Sequence, residues 1–213
     1  MKAIVLHSGG LDSTLCLLMA REAGREVTSL GVDYGQRHRI ELEYALAQCQ
    51  RFGIQRRVLR VDWDKPVRQI PAGRSLGEIR TGMSPAFLPG RNAVFLALAC
   101  AEAAGIQAGE VWTGVNAVDF SGYPDCKPEF ITAFNSMIKL AIPNGPEVVA
   151  PLIHMSKPQI AAEARRLGLA ERDTWSCYQP RQSVEGLIPC GECDACVLHD
   201  HAWKHAQSTA SSS

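Results

Sequence analysis

Residues 7–13 read His7-Ser8-Gly9-Gly10-Leu11-Asp12-Ser13 ("HSGGLDS"). They stand where an apolar run, "KAIVL" (2–6), gives way to a helical pattern, "TLCLLMAREAG" (14–24). A glycine pair directly after a strand lets the chain turn tightly and lets its backbone approach a ligand closely. The helix that follows presents unpaired N–H groups and a partial positive charge to that ligand. Ser8, Ser13 and Thr14 add hydroxyls, and Asp12 adds a carboxylate of the kind that holds magnesium beside phosphates. The stretch therefore has the chemistry of a phosphate cradle, although it lacks the G-x-x-x-x-G-K-[ST] spacing of the common P-loop. A plain strand-to-helix turn capped by Ser or Asp needs fewer polar groups than these seven residues supply.

Outward from that junction the same alternation repeats. Apolar, β-prone runs fall at 2–6, 26–33, 57–62, 110–115 and 147–152. Helical patterns fall near 13–24, 38–52, 91–104, 128–140 and 157–168. Strands alternating with helices predict an α/β fold: a five-stranded, parallel, doubly wound sheet whose ligands collect at the carboxyl ends of the strands. Residues 64–90, rich in Gly, Pro and Arg, predict a long excursion that serves as a lid or an interface. The last residues, 206–213, predict a frayed tail. The 213 residues are expected to form one domain.

Composition narrows the class. The chain carries 22 basic and 22 acidic residues, for a formal charge of zero. That argues against a non-specific nucleic-acid binder, which needs a basic excess to displace counterions from phosphates. No basic leader with a cleavage site is seen, and the longest apolar stretch, 93–101, is about half of what a bilayer requires. The expected location is the cytoplasm, with no membrane partner. Eight cysteines in such a compartment point to metal or catalysis before disulfides. Cys190, Cys193 and Cys196 are spaced C-x-x-C-x-x-C, with Cys177 upstream, a set that suits tetrahedral zinc closed to solvent. A sulfur-carrying redox pair is the rival reading. Cys16, Cys49 and Cys100 fall in helical patterns as small core residues. His199, His201 and His205 are expected at the surface.

"SGGLDS" after a first strand resembles the pyrophosphate loop of the N-type ATP pyrophosphatases, which cleave ATP between its α- and β-phosphates. Together with "VDYGQRHRIEL" (32–42), "PGRNAVFLALA" (89–99), "GVNAVDFSGYPDCKPEFI" (114–131), "TWSCY" and "CGECDAC", it is very similar to the 7-cyano-7-deazaguanine synthase family. The resemblance runs in order from the first strand to about residue 196. It departs at His7, where the family usually has an apolar residue, and at "VLHDHAW" after the last cysteine.

The resemblance implies an adenine nucleotide alpha hydrolase-like fold with a C-terminal zinc knuckle, one structural zinc per chain on Cys177, Cys190, Cys193 and Cys196, and a homodimer without direct nucleic-acid contact. It implies 7-carboxy-7-deazaguanine, ammonia and ATP with Mg2+ as substrates, and a nitrile base (preQ0) of the queuosine pathway as product. The ATP-binding stretch would be His7, Ser8, Gly9, Gly10, Leu11, Asp12, Ser13, Thr14, Leu15, Cys16 and Leu17, with Asp12 on magnesium. Lys157, which opens a helix, matches a lysine that this superfamily places near the phosphates, though an exposed helix-start lysine is an equal local reading. Arg91 is assigned to phosphate or carboxylate. A guanine-like edge offers N–H donors that a carboxylate reads well. Asp119, Asp125 and Glu129 are unranked candidates for that task, with Phe120 or Tyr123 as a stacking face. Another modifier on the same loop, such as a tRNA thiolase, or a paralogue serving deazapurine natural products or defence, remains the alternative.

Overall fold

The computed structural model describes residues 1–35, 39–62, 70–81, 83–85, 87–117, 123–184 and 186–206. Five strands form one parallel sheet: β1 (Lys2–Leu6), β2 (Glu26–Asp33), β3 (Gln55–Arg60), β4 (Glu110–Trp112) and β5 (Glu147–Val149). Their spatial order is β3-β2-β1-β4-β5. Chain order therefore reverses between β1 and β4, which pair in parallel with Ala3 opposite Glu110. At such a switch point the loops leaving neighbouring strands diverge to opposite faces and open a crevice.

The central strands β1 and β4 are buried on both faces, so their alternation selects a face and not an exposure, whereas the edge strand β3 is largely exposed. Ala3 and Val5 of β1 pack with α1 (Leu11–Glu22) and α6 (Lys157–Arg166) in one core, while Ile4 packs with α4 (Arg91–Gly105) and α5 (Pro128–Ala141) in the other. Leu15, Leu17 and Ile160 are fully buried in the first core, and Leu96 and Val111 in the second. Truncating any one of these leucines to alanine is expected to cost about 2–5 kcal/mol. The helix α2 (Ile40–Phe52) ends in a left-handed Gly53, φ 63°, a C-terminal stop available to glycine without strain.

Helices α1 and α6 run side by side in parallel. Asp12 in the first turn of α1 pairs with Lys157 at the start of α6, and Glu22 at the end of α1 pairs with Arg166 at the end of α6. The exposed Glu22–Arg166 pair contributes little stability, but the two pairs together fix which helix ends adjoin.

The sequence reading gave these strands and five of the helices within a few residues. It did not give α3 (Leu76–Arg80), the hairpin β6 (Arg181–Ser183) and β7 (Gly186–Ile188), or α7 (Asp194–Lys204). The described part of the 64–90 excursion is tied to the cysteine segment. Arg74 forks onto Asp194, Ser84 donates to the same carboxylate at 3.1 Å, and Ala72 bridges Cys193. No described helix is long and apolar enough to cross a membrane.

Candidate active site

The loop 7–10 leaves β1 at the switch point and enters α1 through Gly10, the residue preceding the first helical turn. Gly10 has no side chain to cap that turn, so the leading N–H groups of α1 have no partner within the helix. Gly9 adopts φ +96°, and a Cβ there would lie 2.4 Å from the Glu41 carbonyl and 2.9 Å from Ala45 N. Both the dihedral and the contact with α2 demand glycine. Gly114, after β4, is demanded by space alone: a Cβ would fall 2.9 Å from the Asp12 backbone. The two switch-point loops thus meet backbone to backbone at the start of α1.

Around this turn Ser8 and Ser13 bring their hydroxyls within 3.1 Å of each other, and Ser13 and Thr14 both donate to the Gly10 carbonyl, at 3.1 and 2.8 Å. Lys157 is only 6% exposed, and its ammonium faces the Asp12 carboxylate in a close ion pair. The fold at this helix start explains the reach: Gln159 accepts from the Ser156 N–H at 2.8 Å, Pro158 supplies a pre-set φ, and Lys157 is left to project toward α1. A serine pair, a bare helix start and a Lys–Asp pair form a polar rim suited to a magnesium-bound polyphosphate.

Beside it lies a second group. Arg91 opens α4 and is hydrogen-bonded to Tyr34, with Tyr178 and Asp125 as further electrostatic neighbours. Glu41, on the first turn of α2, faces Arg91; burial pushes its carboxyl up to about 7 against that attraction. Asp125 is 7% exposed and accepts from the Asn92 N–H at 3.3 Å through Oδ2. Its Oδ1 is buried and has no hydrogen-bond partner among the described residues. Such an oxygen carries a desolvation cost until a donor arrives. Tyr123 and Tyr178 line a cleft with Ile79, Ser84, Asp194, Ala195 and Leu198.

Cys177, Cys190, Cys193 and Cys196 are all buried, and their four Sγ atoms lie within 4.8 Å of one another. A thiolate tetrahedron about a zinc-sized ion has edges of about 3.8 Å. The Cys177–Cys190 and Cys190–Cys196 separations are 3.6 and 3.9 Å. Backbone N–H groups of Gln179 and Cys190 point at the Cys177 sulfur, and that of Cys193 at the Cys190 sulfur, at 3.2–3.4 Å. Such donors stabilise thiolates. The donor set fits a single metal ion and leaves no room between the sulfurs for a multi-iron cubane.

Residues 2–207 match the family model described as "Queuosine biosynthesis protein QueC". The chain belongs to this family. A relative from Rhodopseudomonas palustris, 7-cyano-7-deazaguanine synthase 2, is 54% identical over 95% of this chain and 97% of its own length. Synthases from Novosphingobium aromaticivorans and Myxococcus xanthus are 42% and 41% identical, each over 96% of the chain and over 90% and 94% of their own lengths. Among solved structures, the U34-tRNA thiolase NcsA from Methanococcus maripaludis superposes with a TM-score of 0.54 at 16% identity, covering 79% of this chain and 58% of that one. At that identity the likeness extends to the fold alone. NcsA is described with its [4Fe-4S] cluster.

Within this QueC-family site the predicted residues separate by location. Ser8, Gly9, Gly10, Asp12, Ser13 and Thr14 form the turn. Leu11, Leu15, Cys16 and Leu17 point into the core, so only their backbone adjoins the turn. His7 is 2% exposed and faces α2, away from the open side. Lys157 is buried, not an exposed helix-start residue. Tyr123 and Asp125 stand by Arg91, while Glu129 is exposed on the first turn of α5. Asp119 and Phe120 lie outside the described residues.

Four residues near the site were missed by sequence reasoning. Glu41 and Tyr34 sit in the quoted "VDYGQRHRIEL" but carried no signal of their own. Gln48 is an ordinary helical residue by pattern. His199 is not on the surface as expected: its side chain is 17% exposed, it stands 3.1 Å from the Ser176 hydroxyl, and it feels the charges of Lys157 and Asp12.

Proposed function

We propose that the chain converts 7-carboxy-7-deazaguanine, ammonia and ATP into 7-cyano-7-deazaguanine, with AMP and pyrophosphate as by-products. The single observation that carries this reading is the polar rim of Ser8 to Ser13 with the Asp12–Lys157 pair, at the switch point of a QueC-family chain.

The chemistry follows from the substrate. A carboxylate does not accept an amine, so one of its oxygens must become a leaving group. That oxygen attacks the α-phosphorus of ATP, the α–β bridging bond breaks, and pyrophosphate departs. Ammonia then displaces AMP and loses a proton, giving the amide. The amide oxygen attacks a second ATP in the same way, and loss of AMP with the remaining N–H protons leaves the nitrile. Two ATP become two AMP and two pyrophosphates.

Such transfers depend on placement and charge more than on covalent help. In this reading Ser8, Gly9, Gly10 and Ser13 bind the departing pyrophosphate, and Lys157 neutralises charge building on it. Asp12 holds the Mg2+ that comes with ATP, which spreads phosphate charge when bound. Arg91 orients the carboxylate or the α-phosphate. Asp125 accepts N–H groups of the base and Tyr123 stacks on it. The four cysteines hold one structural zinc and take no part in the chemistry. The enzyme works as a cytoplasmic homodimer without nucleic acid, a reading that the zero net charge supports in its last point.

The test is product analysis by mass spectrometry after incubation with the acid, ammonium and Mg-ATP. The expected result is nitrile with two AMP per molecule formed. Accumulation of ADP and orthophosphate in their place would overturn the assignment.

A further inference from the structure

Beneath the glycine turn lies a buried polar cluster that packing alone does not call for. His7 is 2% exposed, Gln48 is 4% exposed, and Thr14 and Ser29 are fully buried. The Gln48 amide nitrogen donates to two backbone carbonyls, Gly9 at 3.1 Å and Asp173 at 2.6 Å. An amide group has two such protons, so both are in use. Its oxygen therefore faces donors, and His7 Nε2 stands 2.8 Å from it.

That contact settles the imidazole. Nε2 carries the proton, Nδ1 accepts, and the Ser29 hydroxyl donates to Nδ1 at 2.9 Å. Ser29 Oγ accepts in turn from Arg56 Nη1 at 2.8 Å. Burial and the Arg56 charge drive the His7 pKa down to about 3, so the ring stays neutral in this tautomer. The chain of donors has one direction, and it ends on the Gly9 carbonyl.

In a trans peptide the C=O and the following N–H point to opposite sides. The Gly9 oxygen is held by Gln48 and by the Trp175 N–H at 3.2 Å. The Gly10 N–H is thereby turned to the opposite side, toward the Ser8 hydroxyl 3.5 Å away. The Gly10 oxygen, held by Ser13 and Thr14, turns the Leu11 N–H outward by the same logic.

We propose that Gln48, oriented by His7, is a positioning residue for pyrophosphate: it fixes the Gly9–Gly10 peptide plane so that the Gly10 amide faces the departing phosphates. Through Asp173 the same side chain joins the turn to the segment that leads into Cys177. The inference rests on the phosphate-loop reading above.

The experiment is calorimetric titration of the full-length, metal-replete protein with magnesium pyrophosphate, alongside KM for each substrate. Gln48→Met removes both donors at similar length. It is expected to weaken pyrophosphate about tenfold and to raise KM for ATP by a similar factor, the loss of one buried hydrogen bond, with KM for the carboxylic acid unchanged. In Gln48→Glu an ionised carboxylate would face two carbonyls, whereas its protonated form restores one donor. Burial raises such a pKa toward neutrality. Its affinity relative to wild type is therefore expected to recover as pH falls from about 8 to about 6. If Gln48→Met does not fold, the Gln48→Glu series decides alone. Wild-type affinity in Gln48→Met with only a lower Tm, or a Gln48→Glu deficit equal at every pH, would overturn the proposal. A wild-type protein that binds no pyrophosphate would overturn the phosphate-loop reading instead.

Discussion

Lys157 and Asp12 lie 145 residues apart in sequence and form a close ion pair at the open side of the glycine turn. The lysine is buried and the aspartate partly so, its side chain 23% exposed. Under the proposed function the ammonium would turn to phosphate, and the carboxylate to metal, when a nucleotide and its cation bind.

Removing either partner should separate binding from chemistry. Asp12→Asn is expected to lower AMP release by about 10²-fold or more, the scale for losing one charge-stabilising group in an active site. Lys157→Met should do the same while leaving the Asp12 carboxylate without the ammonium it pairs with. Wild-type turnover in Asp12→Asn, followed by AMP release at saturating ATP, would remove the magnesium role from Asp12.

Gly9 provides a sharper structural prediction. With φ at +96° and the Glu41 carbonyl 2.4 Å from the would-be Cβ, Gly9→Ala must push α2 away from the turn. An expected loss of about 2–4 kcal/mol, read from urea unfolding, should accompany loss of ATP binding. Gly24 has positive φ too, but open space, so Gly24→Ala should cost only its backbone strain and leave ATP binding intact.

The contrast shows what a sequence reader can and cannot see. The glycine pair and the strand–helix alternation were legible because local conformation and periodicity produce them. The cysteine set was legible because metal spacing is a local constraint. The ranking of Asp125 over Glu129 was not, because it depends on burial: one carboxyl is enclosed beside Asn92 and the other faces solvent on α5. Gln48 and His199 were invisible for a related reason. Their importance lies in which distant carbonyl or hydroxyl they meet, and nothing in an i, i+4 pattern encodes contacts 125 residues away. The structure of α7 was obscured by its composition, since "DACVLHDHAWK" mixes two histidines and a cysteine into a helix whose buried face includes Cys196, Leu198, Ala202 and Trp203.

Asp125 should govern one substrate only. Its Oδ1, without a hydrogen-bond partner among the described residues, is suited to a ligand N–H, so Asp125→Asn, which can present an NH2 in its place, should raise KM for the carboxylic acid about tenfold or more. KM for ATP should be unchanged. Equal effects on both constants would point to a folding role for Asp125.

The cysteine site predicts a coupling between metal and nucleotide. Metal analysis of the reduced protein should find close to one zinc per chain. Cys193→Ser should lower metal content and thermal stability together, because the buried sulfurs lose their common partner. The Trp175 N–H on the Gly9 carbonyl connects this knuckle to the glycine turn two residues before Cys177. Metal loss should therefore weaken pyrophosphate binding as well; unaltered binding in demetallated, folded protein would show that the two sites are independent.

His7 contributes to the acid sensitivity of stability. Its pKa is about 3 in the fold and about 6.5 when unfolded, so between those values the unfolded chain binds the extra proton. Stability must then rise with pH across this window and fall as pH drops from about 6.5 toward 3. No contribution of His7 to pH dependence is expected above about 7. His7→Leu removes the titrating group and leaves the Gln48 oxygen with only the longer contact from the Thr14 hydroxyl, 3.2 Å, which costs about 1–3 kcal/mol at neutral pH. The variant is thus expected to start lower and to lose less on acidification, so that its unfolding free energy approaches that of wild type below about pH 4. Parallel curves for the two proteins from pH 7 to 4, measured by urea unfolding, would mean that His7 titrates alike in the folded and unfolded chain and that burial does not hold the ring neutral.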